Sequence, residues 1–390
     1  MVGTLKLLLS RLFRGSPRSR DARLGVEHLE DRAVPADVGV LGARLDSPTV
    51  VGFRYAATGG VESFQVGVYR SADRVLDASD VFVAATTVTP GRPGRGHGTV
   101  DLGTEMPLDP ARNHVLVVAD PEGELAERTE RNNTASFRKL AVAAVAHGYT
   151  LTGLPPAWLL PMTATLRSQG YEAAIPYVWT ALSQVPVPGG TVVAGQGMAA
   201  QVRAAAAALA TRPNDVIDLH LIGHSRGTGV ISQAFLSLES DPGPRAQELG
   251  FYQGTYLDPH VARNFGTLAE GLAELAAGTG TSTVGDFSYD PTSATAQLFA
   301  AGTLAFQAAA NDPPAFVAAN VDRAEMYYQR IDWDETLPGS VERLIGVNFL
   351  SPLPEDVPNF SANPIEATDL GPLGIGHYEV PIWYLENVLA

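Results

Sequence analysis

The chain has 390 residues, 45% hydrophobic and 18% charged, which excludes a wholly disordered protein and at this length favours two domains over one core. Its 27 Lys and Arg against 42 Asp and Glu leave a net charge of −15, which opposes nucleic acid or anionic membrane as the main partner. The absence of cysteine removes disulfides, thiolate metal sites and a cysteine nucleophile, and 39 Gly with 28 Pro predict many turns.

Residues 1–35 differ from the rest. Lys6, Arg11, Arg14, Arg18, Arg20 and Arg23 surround the short apolar run at 7–9, too short for a membrane-spanning helix of about 20 residues and broken by arginines where a secretory signal is apolar. The segment is expected to be a basic leader, disordered or processed, with no transmembrane segment. Leu29-Glu30-Asp31-Arg32, followed by Ala33-Val34-Pro35-Ala36, resembles the leader of some bacterial surface and secreted proteins, which implies export.

From 36 to 139, runs rich in β-branched and aromatic residues recur between Gly, Pro, Asp and Asn clusters. Strands are predicted at 38–45, 49–55, 63–69, 81–88, 99–102, 114–119 and 134–140. In Phe64-Gln65-Val66-Gly67-Val68-Tyr69 the large apolar residues alternate, as in a strand with one buried face. Seven strands in some 100 residues suit an immunoglobulin-like sandwich. Tyr69-Arg70-Ser71-Ala72-Asp73 with Asp77 and Asp80, and Asp120-Pro121 with Glu127, Glu130, Asn132 and Asn133, resemble the two turn signatures of the bacterial CARDB module. Asp73, Asp77 and Asp80 lack the order of a calcium loop and read as turn carboxylates.

From 140 to 390, strand and helix patterns alternate. The apolar run 141–146 ends at His147-Gly148; a helix is expected at 156–168, an extended stretch at 171–179 and an alanine-rich helix at 198–211. The apolar run 216–222 leads into Gly223-His224-Ser225-Arg226-Gly227 and a helix to about 239, and a further strand is expected at 251–257. The alternation predicts a mostly parallel, doubly wound sheet covered by helices. A serine at a tight strand-to-helix turn is held in a strained conformation, with flanking glycines making room for neighbouring chain and substrate. The helix amino end behind it favours developing negative charge. Ser225 is therefore the candidate nucleophile. It needs a base and an orienting acid. Asp258-Pro259-His260 closes the next strand, and Gly374-Ile375-Gly376-His377 offers a histidine before a short aromatic helix at 380–388.

Together, His147-Gly148-Tyr149, Gly223 to Gly227 and Leu257-Asp258-Pro259 resemble the α/β-hydrolase superfamily, and within it lipase-like serine hydrolases. That resemblance implies a Ser225, Asp258 and His377 triad, with the oxyanion hole formed by the backbone N–H groups of Tyr149 and Arg226 and the nucleophile elbow by Gly223, His224 and Gly227. Many such hydrolases carry the acid one strand later, so Asp332 and Asp334 stand in reserve, as His260 does for the base. His147 and His224 are assigned structural roles. His220 and His224 span a strand and a turn, not one helical face, so neither a metal nor a cofactor is expected. Residues 263–310 sit where this fold inserts a cap, with Phe287, Tyr289, Phe299 and Phe306 as candidates to line an acyl pocket. The leading function is a serine hydrolase of an ester or lipid, with the β domain attaching it to a cell-surface or polymeric target. The alternatives are a binding or adhesion protein with an inactive hydrolase-fold domain, and a structural surface protein.

Overall fold

The computed structural model describes residues 36–148, 150, 153–184, 188–241, 249–259, 282–284, 287–289, 312–313, 315–328, 365–369 and 380–390. The basic leader, most of the 263–310 segment, Asp332 and Asp334 lie outside them.

Seven strands open the described chain: β1 (Asp37–Ser47), β2 (Val50–Thr58), β3 (Phe64–Ser71), β4 (Val81–Val88), β5 (Gly94–Asp101), β6 (His114–Ala119) and β7 (Thr134–Ala146). They form two antiparallel sheets, β1-β2-β5 and β4-β3-β6-β7. Alternate residues of both sheets share one core, with Val51, Phe53 and Tyr55 from one and Val66, Val68, Val117 and Phe137 from the other. Burying each such side chain contributes about 1.5–3 kcal/mol. β5 is longer than its composition predicts. Its glycines lie under aromatic rings: a Cβ on Gly96 would fall 2.4 Å from the Tyr55 ring, and one on Gly98 would fall 2.6 Å from Phe53. The cross-strand rings supply the packing that β5 itself lacks. Asp73, Asp77 and Asp80 serve as turn acceptors, taking the backbone N–H groups of Val75, Ser79 and Asp77 respectively.

The strands expected at 134–140 and 141–146 are one strand, and the domain boundary expected between 139 and 140 falls inside it. The first half of β7 pairs antiparallel with β6, from Thr134 to Arg138. The second half, from Lys139, pairs in parallel with β9. No glycine or proline interrupts the strand, so the ladder passes from one sheet to the next without a linker. Ion pairs brace this joint. Arg138 donates through Nε and a terminal nitrogen to the Asp215 carboxylate. Lys139 Nζ, 1% exposed, pairs with Asp218 and donates to the Met106 carbonyl.

Beyond the joint come α1 (Leu159–Ser168), β8 (Ala173–Tyr177), α2 (Thr180–Gln184), α3 (Gly190–Leu209), β9 (Val216–His224), α4 (Gly227–Ser240), β10 (Leu249–Leu257), the short hairpin β11 (Ser282–Val284) and β12 (Phe287–Tyr289), β13 (Arg323–Tyr328), β14 (Ile365–Asp369) and α5 (Val380–Tyr384), which runs into a π-helical turn. The parallel sheet has the order β8-β7-β9-β10-β13-β14. Helices cover both faces. Leu140, Val142, Ala144 and Ala146 of β7 pack with α3 and α4, while Ala143 and Val145 pack with α1 and α5. The chain leaves β7 towards β8 on one side and returns through β9 to the other. The crevice beyond the carboxyl ends of β7 and β9 is therefore a topological switch point, where open α/β sheets bind ligands. Among the described residues, no helix is long and apolar enough to cross a membrane.

Candidate active site at the switch point

Ser225 follows β9 at that crevice with φ 54°, a left-handed conformation costly to any residue with a Cβ. Local bonds hold it there. Its N–H donates to Leu257 O at 3.0 Å, and its carbonyl accepts from Thr228 N and the Thr228 hydroxyl. Three glycines are explained by contact. A Cβ on Gly223 would lie 2.5 Å from Gly227 O, and one on Gly227 would lie 2.5 Å from Ala146 O. A Cβ on Gly148 would fall 2.6 Å from Ser225 Cβ and 3.0 Å from its Oγ. The loop after β7 thus runs directly against the serine side chain, and α4 starts at Gly227 directly behind it.

Asp258 closes the neighbouring strand. His224 and Leu257 are register partners on β9 and β10, so Ser225 and Asp258 are the next residues of adjacent parallel strands. Asp258 is fully buried and also left-handed, at φ 43°, and its N–H donates to Tyr327 O at the end of β13. Ser225 and Asp258, expected from the sequence as nucleophile and acid, thus stand at adjacent strand ends. His377 and its competitor His260 both lie outside the described residues, as does Tyr149.

Arg226 follows the serine with φ −56° and ψ −23°, and caps α4. Its side chain turns away into the fold. It pairs with Asp312, donates to the carbonyls of Leu182 and Ser183, and lies 5.2 Å from the centre of the Trp179 ring. Asp312 also accepts from the backbone N–H and hydroxyl of Thr191 at the start of α3. Asp312 has no local signature and is recognisable only once the chain is folded.

His147 is wholly buried and committed to structure. Its Nδ1 faces Gly148 O at 2.7 Å and its Nε2 faces Trp179 N at 3.3 Å, so the neutral tautomer that donates from Nδ1 and accepts at Nε2 satisfies both. Burial pushes its pKa down, consistent with a neutral ring. Trp179 stacks on the ring and donates from its indole N–H to His147 O. His224 is buried edge-to-face with Trp158, 5.7 Å between ring centres. His220 lies further back in the sheet, its two nitrogens at 2.8 Å from the Tyr171 hydroxyl and 2.7 Å from the Thr255 hydroxyl. Complete burial lowers its pKa to about 3. Of the four aromatics expected to line a cap, Phe287 and Tyr289 fall on β12, while Phe299 and Phe306 lie outside the described residues.

No family model matches the chain, and no curated protein matches it. Among solved structures it is similar to the cell-wall-degrading esterase LipA of Xanthomonas oryzae, at 10% identity over 91% of this chain and 98% of that one, with a TM-score of 0.33. A provisionally assigned carboxylesterase from Lactobacillus plantarum WCFS1 aligns at 13% identity over 71% and 93%, with a TM-score of 0.29. The epoxide hydrolase CorEH aligns at 12% over 71% and 93%, with a TM-score of 0.26.

Proposed function

We propose that the chain is a serine hydrolase of carboxylic esters, of α/β-hydrolase type and lipase-like. The observation that supports this most directly is the left-handed Ser225, set between a strand and a helix at the switch point. Gly148 lies against its side chain, and Asp258 stands at the neighbouring strand end. Strain of this kind persists only where the surroundings over-determine it, and it clusters at active sites.

In the proposed reaction His377 takes the proton from the Ser225 hydroxyl as Oγ bonds to the ester carbonyl carbon. Asp258 orients the imidazole and offsets its charge. The backbone N–H groups of Arg226 and Tyr149 receive the oxyanion, which the amino end of α4 also favours. Collapse breaks the bond to the alkoxy group, which leaves with the proton from His377. Water, deprotonated by the same imidazole, then cleaves the acyl-enzyme and restores Ser225. Export rests on the leader-like Leu29-Glu30-Asp31-Arg32 stretch, and the β module is assigned the holding of a polymeric or cell-surface target.

Labelling with a serine-directed fluorophosphonate tests the reaction. Ser225→Ala should abolish labelling and nearly all turnover of short soluble esters, and Asp258→Asn should cut turnover at least a hundredfold. Activity should fall on the acid side as His377 is protonated, since only a neutral imidazole accepts the proton. A Ser225→Ala protein that labels like the wild type would remove the assignment. His377→Ala that stays active while His260→Ala does not would move the base.

A further inference from the structure

The outer face of the β1-β2-β5 sheet carries cations that the fold does not use. In register, Gly42 stands opposite Arg54 and Arg44 opposite Gly52, while Arg54 stands opposite His97, Ala56 opposite Arg95 and Gly52 opposite Thr99. Phe53 and Tyr55 are buried in the core, so strand alternation puts Arg44, Arg54, Arg95 and His97 together on the opposite face, and all four are exposed. They rim a depression of about 640 Å³, which Asn214, from the loop before β9, also lines.

Gly42 and Gly52 let the Arg54 and Asp46 side chains lie close on the backbone of its floor. A Cβ at Gly42 would meet the Arg54 guanidinium at 3.3 Å, and one at Gly52 would collide with the Asp46 carboxylate. Asp46 neutralises Arg44, their atoms 2.6 Å apart. Among the described residues, Arg54 and Arg95 form no ion pair. Two free, exposed guanidinium groups on one sheet face contribute nothing to the core. In a chain of net charge −15 they are not needed for solubility either.

We propose that this face binds an anionic polysaccharide, with sugar carboxylates on Arg54 and Arg95 and sugar hydroxyls on His97, Thr99 and Asn214. The guanidinium fork matches a carboxylate in a bidentate pair. An open depression suits a polymer passing across it, whereas a small ligand is held by enclosure. Nucleic acid fits poorly. It presents a charge about every 3.4 Å of each strand, and two free arginines in so acidic a chain offset few of them. Phe53, a ring among the lining residues, is turned into the core and offers no face for a base. The inference deepens the reading of the β module as the part that holds a polymer, and it is independent of the chemistry assigned to Ser225.

Affinity electrophoresis of the full chain through gels containing polygalacturonate, neutral dextran or single-stranded oligothymidylate tests it. About 0.1 M salt would screen the distant carboxylates. The wild type should be retarded by polygalacturonate and not by dextran. Arg54→Gln with Arg95→Gln should weaken retardation at least tenfold, and Thr99→Glu, which leaves both arginines in place, should do the same. Fluorophosphonate labelling and the thermal midpoint should be unchanged in both. No retardation of the wild type, equal retardation by dextran, or undiminished binding by both variants would overturn the proposal. Equal retardation by oligothymidylate would overturn it in favour of nucleic acid. Loss of Ser225 labelling with polymer binding intact would count against the hydrolase and leave the sugar site standing.

Discussion

At the scale of single residues, the crevice is built by what glycines leave out. Gly148 and Gly227 look alike in the sequence, but their neighbours give them different jobs. A methyl at position 227 would run into the carbonyls of Ala146 and His147, which are backbone atoms and move only with β7. Gly227→Ala should therefore lower stability by about 1–3 kcal/mol, the usual cost of overpacking, read as a shift in the urea midpoint. A methyl at 148 meets the Ser225 side chain first, 2.6 Å from its Cβ, and the His224 carbonyl less closely, at 3.0 Å. Gly148→Ala should accordingly slow fluorophosphonate labelling at least tenfold with a smaller shift in that midpoint. If the two variants lose stability and reactivity in the same proportion, the distinction between a packing glycine and a clearance glycine fails.

At the scale of elements, β7 decides how the two halves are related. Lys139 stands where β7 changes sheets, with its ammonium buried against Asp218 and the Met106 carbonyl. Asp218 also accepts the Phe251 N–H, so its other oxygen ties in β10. Removing one member of a buried pair strands the other charge, so Lys139→Met should cost about 3–5 kcal/mol. Adding Asp218→Asn, which keeps an acceptor for Phe251, should recover at least half of that loss in a double-mutant cycle. Simple additivity of the two changes would mean the pair is not coupled. Burial pushes Asp215 up, but the Arg138 guanidinium together with the Arg138 and Arg212 backbone N–H groups more than offsets it and holds the carboxyl below its usual value, so this second pair stays ionised at neutral pH. A chain beginning at residue 140 would lose Arg138, Lys139 and the β6 pairing together. It should show no cooperative unfolding transition, whereas separable modules would predict a folded, active fragment.

For the molecule as a whole, acid is the expected weakness. The folded protein keeps His220 neutral down to about pH 3, while an imidazole in the unfolded chain gains its proton near 6.5. The unfolded state therefore binds the extra proton. This contribution to stability is complete above pH 6.5 and is lost as the pH falls towards 3, by about 2 kcal/mol between 6.5 and 5. His147, whose pKa is also pushed down by burial, adds to the same trend. Urea midpoints measured from pH 7.5 to 4.5 should fall steadily, and His220→Gln should flatten the fall although it lowers the midpoint at pH 7.5. An equally steep fall in His220→Gln would place the acid sensitivity elsewhere.

What the sequence determined by itself was whatever short-range pattern encodes. Runs of β-branched and aromatic residues marked β1 to β4 and β6 within a few residues, since alternation and turn residues are local properties. The strand-serine-helix order marked Ser225 because the strained turn is formed by consecutive residues. The position of Asp258 directly after the next strand was legible for the same reason. Three things were settled only by tertiary structure. β5 is a full strand because rings from β2 cover its glycines, and that support is cross-strand. The strands expected at 134–140 and 141–146 are one continuous strand, because hydrogen bonding to two different sheets is a property of partners and leaves no mark in β7 itself. The pairing of Arg226 with Asp312 and the packing of Gly148 on Ser225 join residues far apart in the chain, and only the folded arrangement brings them within reach.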